Sequence, residues 1–225
     1  MTEIADRAFG LLTASANPEN AGPMAAYMKS RMPFHGVMST DRKVITRQLV
    51  EEYPAYDHGQ YARNVRSLWG GSFREDQYLA IGYARSFPRY VTVSNLRLYR
   101  TMVVQGAWWD FVDEIASHLV GSVLVTQPEV ATPRIAAWIG DKDLWLRRTS
   151  IICQLRRKND TDIDLLEQAC TQNLADTEFF IRKAIGWALR EFAKTDARWV
   201  VAYVHEHRGG MSGLTYREAT KHLDL

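Results

Sequence analysis

Residues able to do chemistry gather near the middle of the chain, in the sequence GAWWDFVDEIA over residues 106–116. A helix is predicted here, and it places Trp109 and Asp113 as i, i+4 neighbours on one face. The residues predicted to face the core from another arc are Trp108, Phe111, Val112 and Ile115. An indole and a carboxylate displayed together favour a group that develops positive charge. The alternative is that Trp109 belongs to the core and Asp113 is a solvated surface acid.

Two later segments add arginines and a second tryptophan. The sequence WLRRTS at residues 145–150 contains Arg148, which either faces an open groove or stacks between helices. The sequence FFIRKAIGWALRE at residues 179–191 contains Gly186 and Trp187. A glycine inside a helix costs about 1 kcal/mol relative to alanine, so Gly186 indicates close packing or close approach of a ligand. Trp187 either lines the same groove or packs in the core.

Together these segments describe a groove with two indoles, one carboxylate and several arginines. Opposite charges about 4 Å apart attract by roughly 4 kcal/mol at an effective dielectric constant near 20. An indole face adds about 0.5–2 kcal/mol for a nearby cation, and arginines hold phosphates. The substrate implied is a polyanion that becomes locally cationic, as when a glycosidic bond in nucleic acid breaks through an oxocarbenium-like state.

The elements that must position these residues are helices. Periodicity predicts helices over roughly residues 21–32, from 39 onward, and over 74–87, 95–104, 108–119, 129–139, 142–157, 162–173, 177–194 and 197–205. Ser39, Thr40 and Asp41 form a capping cluster, and the best β-like run, residues 90–93, is too short to seed a sheet. The predicted fold class is all-α, with about a dozen helices.

An internal repeat is visible when the chain is aligned with itself. Residues 148–156 match residues 182–190 at a shift of 34, with Arg, Ile, Leu and Arg at equivalent places. A period of this size, with two helices per unit, is typical of an α-solenoid of HEAT-like helical pairs. Such an array presents a concave face long enough for an extended ligand.

Composition restricts the function classes. The chain has 225 residues, of which 46% are hydrophobic and 24% charged, which excludes a disordered chain, a collagen and a membrane protein. Arginine supplies 21 of the 28 basic residues, which fits a phosphate surface but also a GC-rich genome. No HExxH, P-loop or dinucleotide-binding motif occurs, so we expect neither a metal nor a cofactor. An acidic N-terminus and two cysteines outside any CxxC pattern favour a reduced, cytoplasmic protein.

These residues resemble a known family. Tyr27-Met28-Lys29, the PFHGV sequence at residues 33–37 and the three segments above appear in family order over about residues 20–200. The chain thereby resembles the AlkD-like members of the bacterial DNA alkylation repair glycosylases. The resemblance implies a right-handed α-solenoid of HEAT-like pairs with a concave DNA-binding groove. It would form one domain over residues 1–225, acting as a monomer on duplex DNA at the bacterial nucleoid.

The resemblance also implies a reaction. It is hydrolysis of the N-glycosidic bond of N3- and N7-alkylated purines, such as 3-methyladenine and 7-methylguanine, without base flipping. Asp113 would be the catalytic carboxylate, Trp109 and Trp187 would line the lesion backbone, Arg148 would support the site and Tyr27 would contribute to the groove. The candidates for phosphate contacts are Thr40, Lys43, Arg156 and Arg190; the alternative for each is a solvated surface position.

One position departs from the pattern. Met38 follows the PFHGV turn, where a polar residue able to reach DNA is expected. Its thioether cannot supply that hydrogen bond, which affects the contact with the strand opposite the lesion. A glycosylase specialised for bulky adducts therefore stays open. Because solenoids are commonly scaffolds, a non-catalytic protein that binds DNA or protein is the other alternative.

Overall fold

The computed structural model describes residues 2–223, and within that range it contains helices and turns but no strand. The predicted all-α fold class is thereby confirmed. The helices are α1 (Glu3–Ala14), α2 (Pro18–Met28), α3 (Ser39–Glu52), α4 (His58–Trp69), α5 (Arg74–Arg85), α6 (Leu96–Gly106), α7 (Trp109–Glu114), α8 (Gly121–Thr126), α9 (Pro128–Ala136), α10 (Leu144–Ile152), α11 (Ile163–Gln172), α12 (Phe179–Ala193), α13 (Ala197–His207) and α14 (Gly213–Ala219). A π-helical segment, Ile115–Val120, joins α7 to α8.

Short polar side chains define where many helices begin. The residues whose side chains accept a hydrogen bond from a backbone N–H of the first turn are Asn17, Asp57, Asp143, Asp162, Asp196 and Ser212. Such caps satisfy donors that the helix itself leaves unpaired. The prediction that residues 39–41 cap a helix is wrong. The N-cap of α3 is Met38, whose side chain makes no capping hydrogen bond, and residues 39–41 lie in the first turn of the helix. The predicted β-like run forms parts of two 3₁₀ turns, Pro88–Tyr90 and Val93–Asn95.

The chain comprises two compact units, Met1–Leu98 and Tyr99–Leu225. In the first unit α1 packs on α3, α4 and α5, and α5 packs on both α3 and α4. The large side chains fully buried in this unit are Leu12, Leu49, Tyr61, Leu68, Leu79 and Tyr83. The single domain predicted over residues 1–225 stays a prediction.

A buried carboxylate organises the PFHGV loop of the first unit. Glu75 is fully buried and accepts hydrogen bonds from the backbone N–H groups of His35, Gly36 and Val37, at 3.1, 2.9 and 3.1 Å. Gly36 has φ 83°, a left-handed conformation that favours glycine, and a Cβ there would collide with the backbone of Asn17. The conformation of the loop that leads into α3 therefore depends on Glu75 and on Gly36.

In the second unit the helices form two layers. The first contains α7 with its π-helical segment, then α10, α12 and α14, each packed on the next. The second contains α9, α11 and α13, which pack on α8, α10 and α12 in turn. Such stacked pairs are the arrangement of an α-solenoid, as the repeat predicts.

Hydrogen bonds between successive pairs follow the predicted period of about 34 residues. Asn173 donates to the Ile139 carbonyl at 3.0 Å, and Thr215 donates to the Arg182 carbonyl at 3.1 Å. Both side chains are buried, so each satisfies a polar group at the junction of two pairs. The repeat is thus expressed in polar contacts as well as in apolar packing.

Candidate functional site

A cleft of about 400 Å³ opens on the first layer of the second unit. Its walls come from three consecutive members of that layer, α7, α10 and α12. The lining residues are Trp109, Asp113, Arg148, Phe179, Phe180, Lys183, Trp187 and Arg190. The structure therefore brings together five of the nine residues named as site candidates from the sequence, two indoles and the carboxylate included.

The face of α7 opposite the cleft fixes the orientation of Trp109 and Asp113. Phe111, Val112 and Ile115 are completely buried. Trp108 is half-buried, with its ring centroid 6.1 Å from Trp145 and 5.4 Å from Phe180. Because these side chains are packed in the core, α7 is not free to rotate and carry Asp113 out of the cleft.

The helix changes from α-helical to π-helical geometry two residues after Asp113. The π-helical segment begins at Ile115, and the Ser117 hydroxyl donates to the Asp113 carbonyl at 2.6 Å. At the end of this segment Gly121 lies against α10, and a Cβ there would collide with the carbonyl of Cys153. π-Helical turns are rare and are frequent at functional sites. Here the glycine allows the start of α8 to approach the end of α10 closely.

Asp113 and Arg148 form a bidentate ion pair across the cleft wall. Arg148 Nε donates to Asp113 Oδ1 and Nη2 donates to Oδ2, both at 2.8 Å. The third contact of the guanidinium is Nη1 to the carbonyl of Phe180, at 2.6 Å. The Arg148 side chain is 4% exposed and that of Asp113 is 17% exposed. Arg148 thus joins three helices and holds the carboxylate in one orientation.

Burial raises the pKa of the Asp113 carboxyl above its ordinary value. The hydrogen bonds and charge of Arg148 act in the opposite direction, while Asp110 and Glu114 raise the pKa further. The net direction means that desolvation of the carboxylate outweighs the attraction of its partner. A carboxylate in this condition interacts strongly with any cation that enters the cleft, because little water screens it.

Phe179 and Phe180 add two further aromatic rings to the cleft lining. Trp145 and Phe180 are 4.9 Å apart, and the Arg148 guanidinium lies 5.9 Å from the Phe180 ring centre. Phe179 is 55% exposed at the start of α12. Sequence reasoning missed Phe179, Phe180 and Lys183 as site residues. The signal was present, because positions 179, 183, 187 and 190 share one helical face.

Gly186 has a structural explanation. A Cβ on it would lie 2.5 Å from Glu218 Cβ and 2.8 Å from the Thr215 carbonyl oxygen, so the glycine permits α14 to pack closely on α12. Of the two interpretations left open by the sequence, close packing is therefore correct. Trp187, its neighbour, is half-buried and lines the cleft.

The four remaining candidates lie elsewhere. Tyr27 is 73% exposed near the end of α2, while Thr40 and Lys43 are exposed at the beginning of α3, all in the first unit. Arg156 is exposed beyond the end of α10, in the second unit, because that helix ends at Ile152 rather than continuing to residue 157 as predicted. Met38 is 51% exposed at the N-terminus of α3.

Two further features of residues 2–223 bear on the type of protein. No group of three or more histidine, cysteine, aspartate or glutamate side chains in this part of the chain is arranged to hold a metal ion. Nor does any helix in it combine the length and apolar character needed to cross a membrane.

Comparison with known proteins identifies the family to which the chain belongs. The family model described as DNA alkylation repair enzyme matches residues 10–223. A solved structure from Enterococcus faecalis, described as a predicted DNA alkylation repair enzyme, is 33% identical and superposes with a TM-score of 0.85. The alignment covers 93% of this chain and 97% of that one. No curated protein matches the chain. Since the family model extends over nearly the whole sequence, the chain belongs to the DNA alkylation repair enzyme family.

Proposed function

We propose that the protein is a DNA glycosylase that hydrolyses the N-glycosidic bond of N3- and N7-alkylated purines in duplex DNA. The observation that carries this proposal is the desolvated Asp113 carboxylate in a cleft with two indoles. Membership of a family of DNA alkylation repair enzymes supplies the context. The preferred substrates are purines that alkylation has already made cationic, such as 3-methyladenine and 7-methylguanine.

The charge of the lesion determines what the protein must supply. Alkylation at N3 or N7 gives the purine a positive charge, so the bond from C1′ to nitrogen breaks with its electron pair moving onto a base that departs neutral. Such a leaving group needs no general acid. The sugar is left with positive charge shared between C1′ and the ring oxygen, and this charge must be stabilised.

Asp113 stabilises the sugar cation in this scheme. A carboxylate has about four acceptor positions, and Arg148 occupies two of them, so acceptor capacity remains for a water molecule. That water attacks C1′ and its proton passes to Asp113 and then to solvent. The raised pKa of Asp113 favours this acceptance of a proton.

Trp109 and Trp187 place aromatic faces beside the same carboxylate. Their faces attract the cationic sugar, and their bulk keeps other water away from it. The eight lining residues include no asparagine or glutamine, the side chains that pair bidentately with an adenine edge. This composition supports recognition of the sugar and its charge while the base remains in the duplex, rather than in a base-binding pocket.

The exposed basic and polar residues are proposed to contact DNA phosphates. Arg190 is at the cleft itself, and Arg156 is exposed elsewhere in the second unit. In the first unit Thr40, Lys43 and Tyr27 are exposed. Phosphate contacts would position the duplex without reading its sequence.

The test is release of 7-methylguanine from methylated duplex DNA, measured as free base and as abasic sites in the product. Wild-type protein is expected to release the base, and Asp113→Asn to bind the duplex with similar affinity but release little. A protein that retards DNA in a gel without releasing any base from a panel of alkylated duplexes would instead be a scaffold. Equal excision rates for wild type and D113N would refute the role of the carboxylate.

A further inference from the structure

An acidic residue outside the cleft is paired with the two basic residues on its edge. Glu218, on α14, contacts Lys183 Nζ through Oε1 at 3.4 Å and accepts a hydrogen bond from Arg190 through Oε2. The Glu218 side chain is 20% exposed, as is that of Arg190, while Lys183 is 46% exposed. One carboxylate thus bridges two cations that line the cleft.

The position of Glu218 is fixed by the backbone. α14 packs so closely on α12 that a Cβ at Gly186 would be 2.5 Å from Glu218 Cβ. Thr215, one turn earlier, is fully buried and donates to the Arg182 carbonyl at 3.1 Å. The backbone of Glu218 is therefore held against α12, and its carboxylate lies beside Lys183 and Arg190.

Glu218 carries a negative charge at neutral pH. Burial by itself would raise the pKa of its carboxyl, but the hydrogen bond from Arg190 and the positive charge of Lys183 leave that pKa below its ordinary value. A carboxylate that bridges an arginine and a lysine has the same charge sign and acceptor geometry as a phosphate oxygen pair.

We propose that Glu218 occupies, in the free protein, the contacts of Lys183 and Arg190 that a DNA phosphate would otherwise take, and thereby lowers the affinity for DNA. This inference rests on the proposed function, because it requires the cleft to face the DNA backbone. A phosphate must displace Glu218 to bind these two cations. Undamaged duplex is consequently bound more weakly than the basic residues alone would bind it.

The consequence concerns how strongly the protein is retained on undamaged DNA. Binding through phosphates is independent of sequence and of damage, so strong phosphate contacts retain the protein on intact duplex. Glu218 lowers that contribution while leaving Asp113, Trp109 and Trp187 unchanged. A cationic lesion, which draws binding energy from those three residues, keeps its advantage.

The test compares Glu218→Gln with Glu191→Gln. Glutamine keeps the packing against Gly186 but removes the charge. Glu191 is also an acid paired with a lysine, Lys194 at 2.7 Å, and it does not line the cleft, so E191Q makes the same change in net charge away from the site. Affinity for an undamaged duplex is measured by fluorescence anisotropy over a series of salt concentrations.

For E218Q we expect tighter binding at low salt, and a log–log salt slope steeper by about 0.9 for each additional phosphate contact. E191Q should leave the slope as in wild type. In an Arg190→Gln background the effect of E218Q should shrink, because one of the two cations that it releases is gone. A merely structural role for Glu218 would lower the thermal midpoint without steepening the slope.

Three outcomes would overturn the inference: E218Q that binds undamaged duplex no more tightly than wild type, an equal gain from E191Q, or an undiminished gain in the R190Q background. None of them concerns excision, so the wild-type release of 7-methylguanine is judged separately. If E218Q tightens binding but wild type releases no base, the glycosylase assignment fails and the role of Glu218 in DNA affinity stands.

Discussion

The thermal stability of the protein should respond differently to removal of Asp113 and to removal of Arg148. Because burial raises the pKa of Asp113 despite its partner, the charged carboxylate is less favourable in the folded protein than in the unfolded chain. Neutralising it with Asp113→Asn therefore relieves this cost, although it also leaves the buried Arg148 guanidinium without a charged partner. Arg148 keeps its hydrogen bond to the Phe180 carbonyl, and the asparagine oxygen can still accept one from Nε.

Removing the Arg148 cation should lower the stability of the protein more strongly. Arg148→Met leaves the Asp113 carboxylate only 17% exposed and without its partner. Breaking a buried pair in this way costs about 3–5 kcal/mol. In a chain of this length each kcal/mol lowers the thermal midpoint by about 2–4 °C, so R148M should melt roughly 6–20 °C below wild type. D113N keeps a neutral acceptor for Arg148 but loses the ion pair, so it should melt between wild type and R148M.

The catalytic effects should not follow the stability effects. Loss of the negative charge removes about 4 kcal/mol of attraction for a cation about 4 Å away, at an effective dielectric constant near 20. That corresponds to a reduction of about a thousandfold in the excision rate of D113N. Excision should be measured under single turnover, well below both melting temperatures, with the midpoints taken from calorimetry.

The double variant D113N/R148M serves as the control for this reasoning. Removing both charges should restore much of the stability that R148M loses, because no unpaired carboxylate remains. Lower pH should also raise the midpoint of R148M, since protonation neutralises Asp113. If D113N melts as low as R148M, the assignment of net destabilisation to the buried carboxylate is refuted. If D113N excises within a few-fold of wild type, its catalytic role is refuted.

Three further outcomes are expected. The excision rate should fall as the pH decreases through the raised pKa of Asp113, with a midpoint above the ordinary value of 3.8. The residual rate of D113N should not show this fall at acid pH. The same fall in D113N would contradict the assignment. Trp187→Ala should slow excision about tenfold through loss of an indole face beside the sugar cation, and an unchanged single-turnover rate would exclude that contact. Gly186→Ala should lower the free energy of unfolding by about 1–3 kcal/mol, measured by chemical denaturation, because the new methyl group meets α14. The matched change Gly10→Ala, in a helix with open space around the residue, should keep or raise stability. Equal losses of stability in the two variants would contradict the packing argument.

Local spacing explains which features the sequence predicts. The helical period places Trp109 and Asp113 on one face, and the shift of 34 residues indicates stacked helical pairs. Both follow from the geometry of a single helix or from repetition of one unit. Two helices, α1 and α4, were not among those predicted, although the apolar spacing of their buried residues would have indicated them. The seven-residue α14 carries a much weaker signal, because it is too short to show a period.

Contacts between helices required the tertiary structure. The pairing of Asp113 with Arg148, the close approach at Gly121 and Gly186, and the bridge from Glu218 all join residues about 30 or more positions apart. Such contacts depend on the register and distance of neighbouring helices, which propensity and periodicity leave undetermined. The π-helical turn after Asp113 is likewise a product of packing, because an uninterrupted α-helix satisfies the same local sequence. Residue types and spacing thus determined which side chains could do the chemistry, and the packing of one helix on the next decided which of them meet.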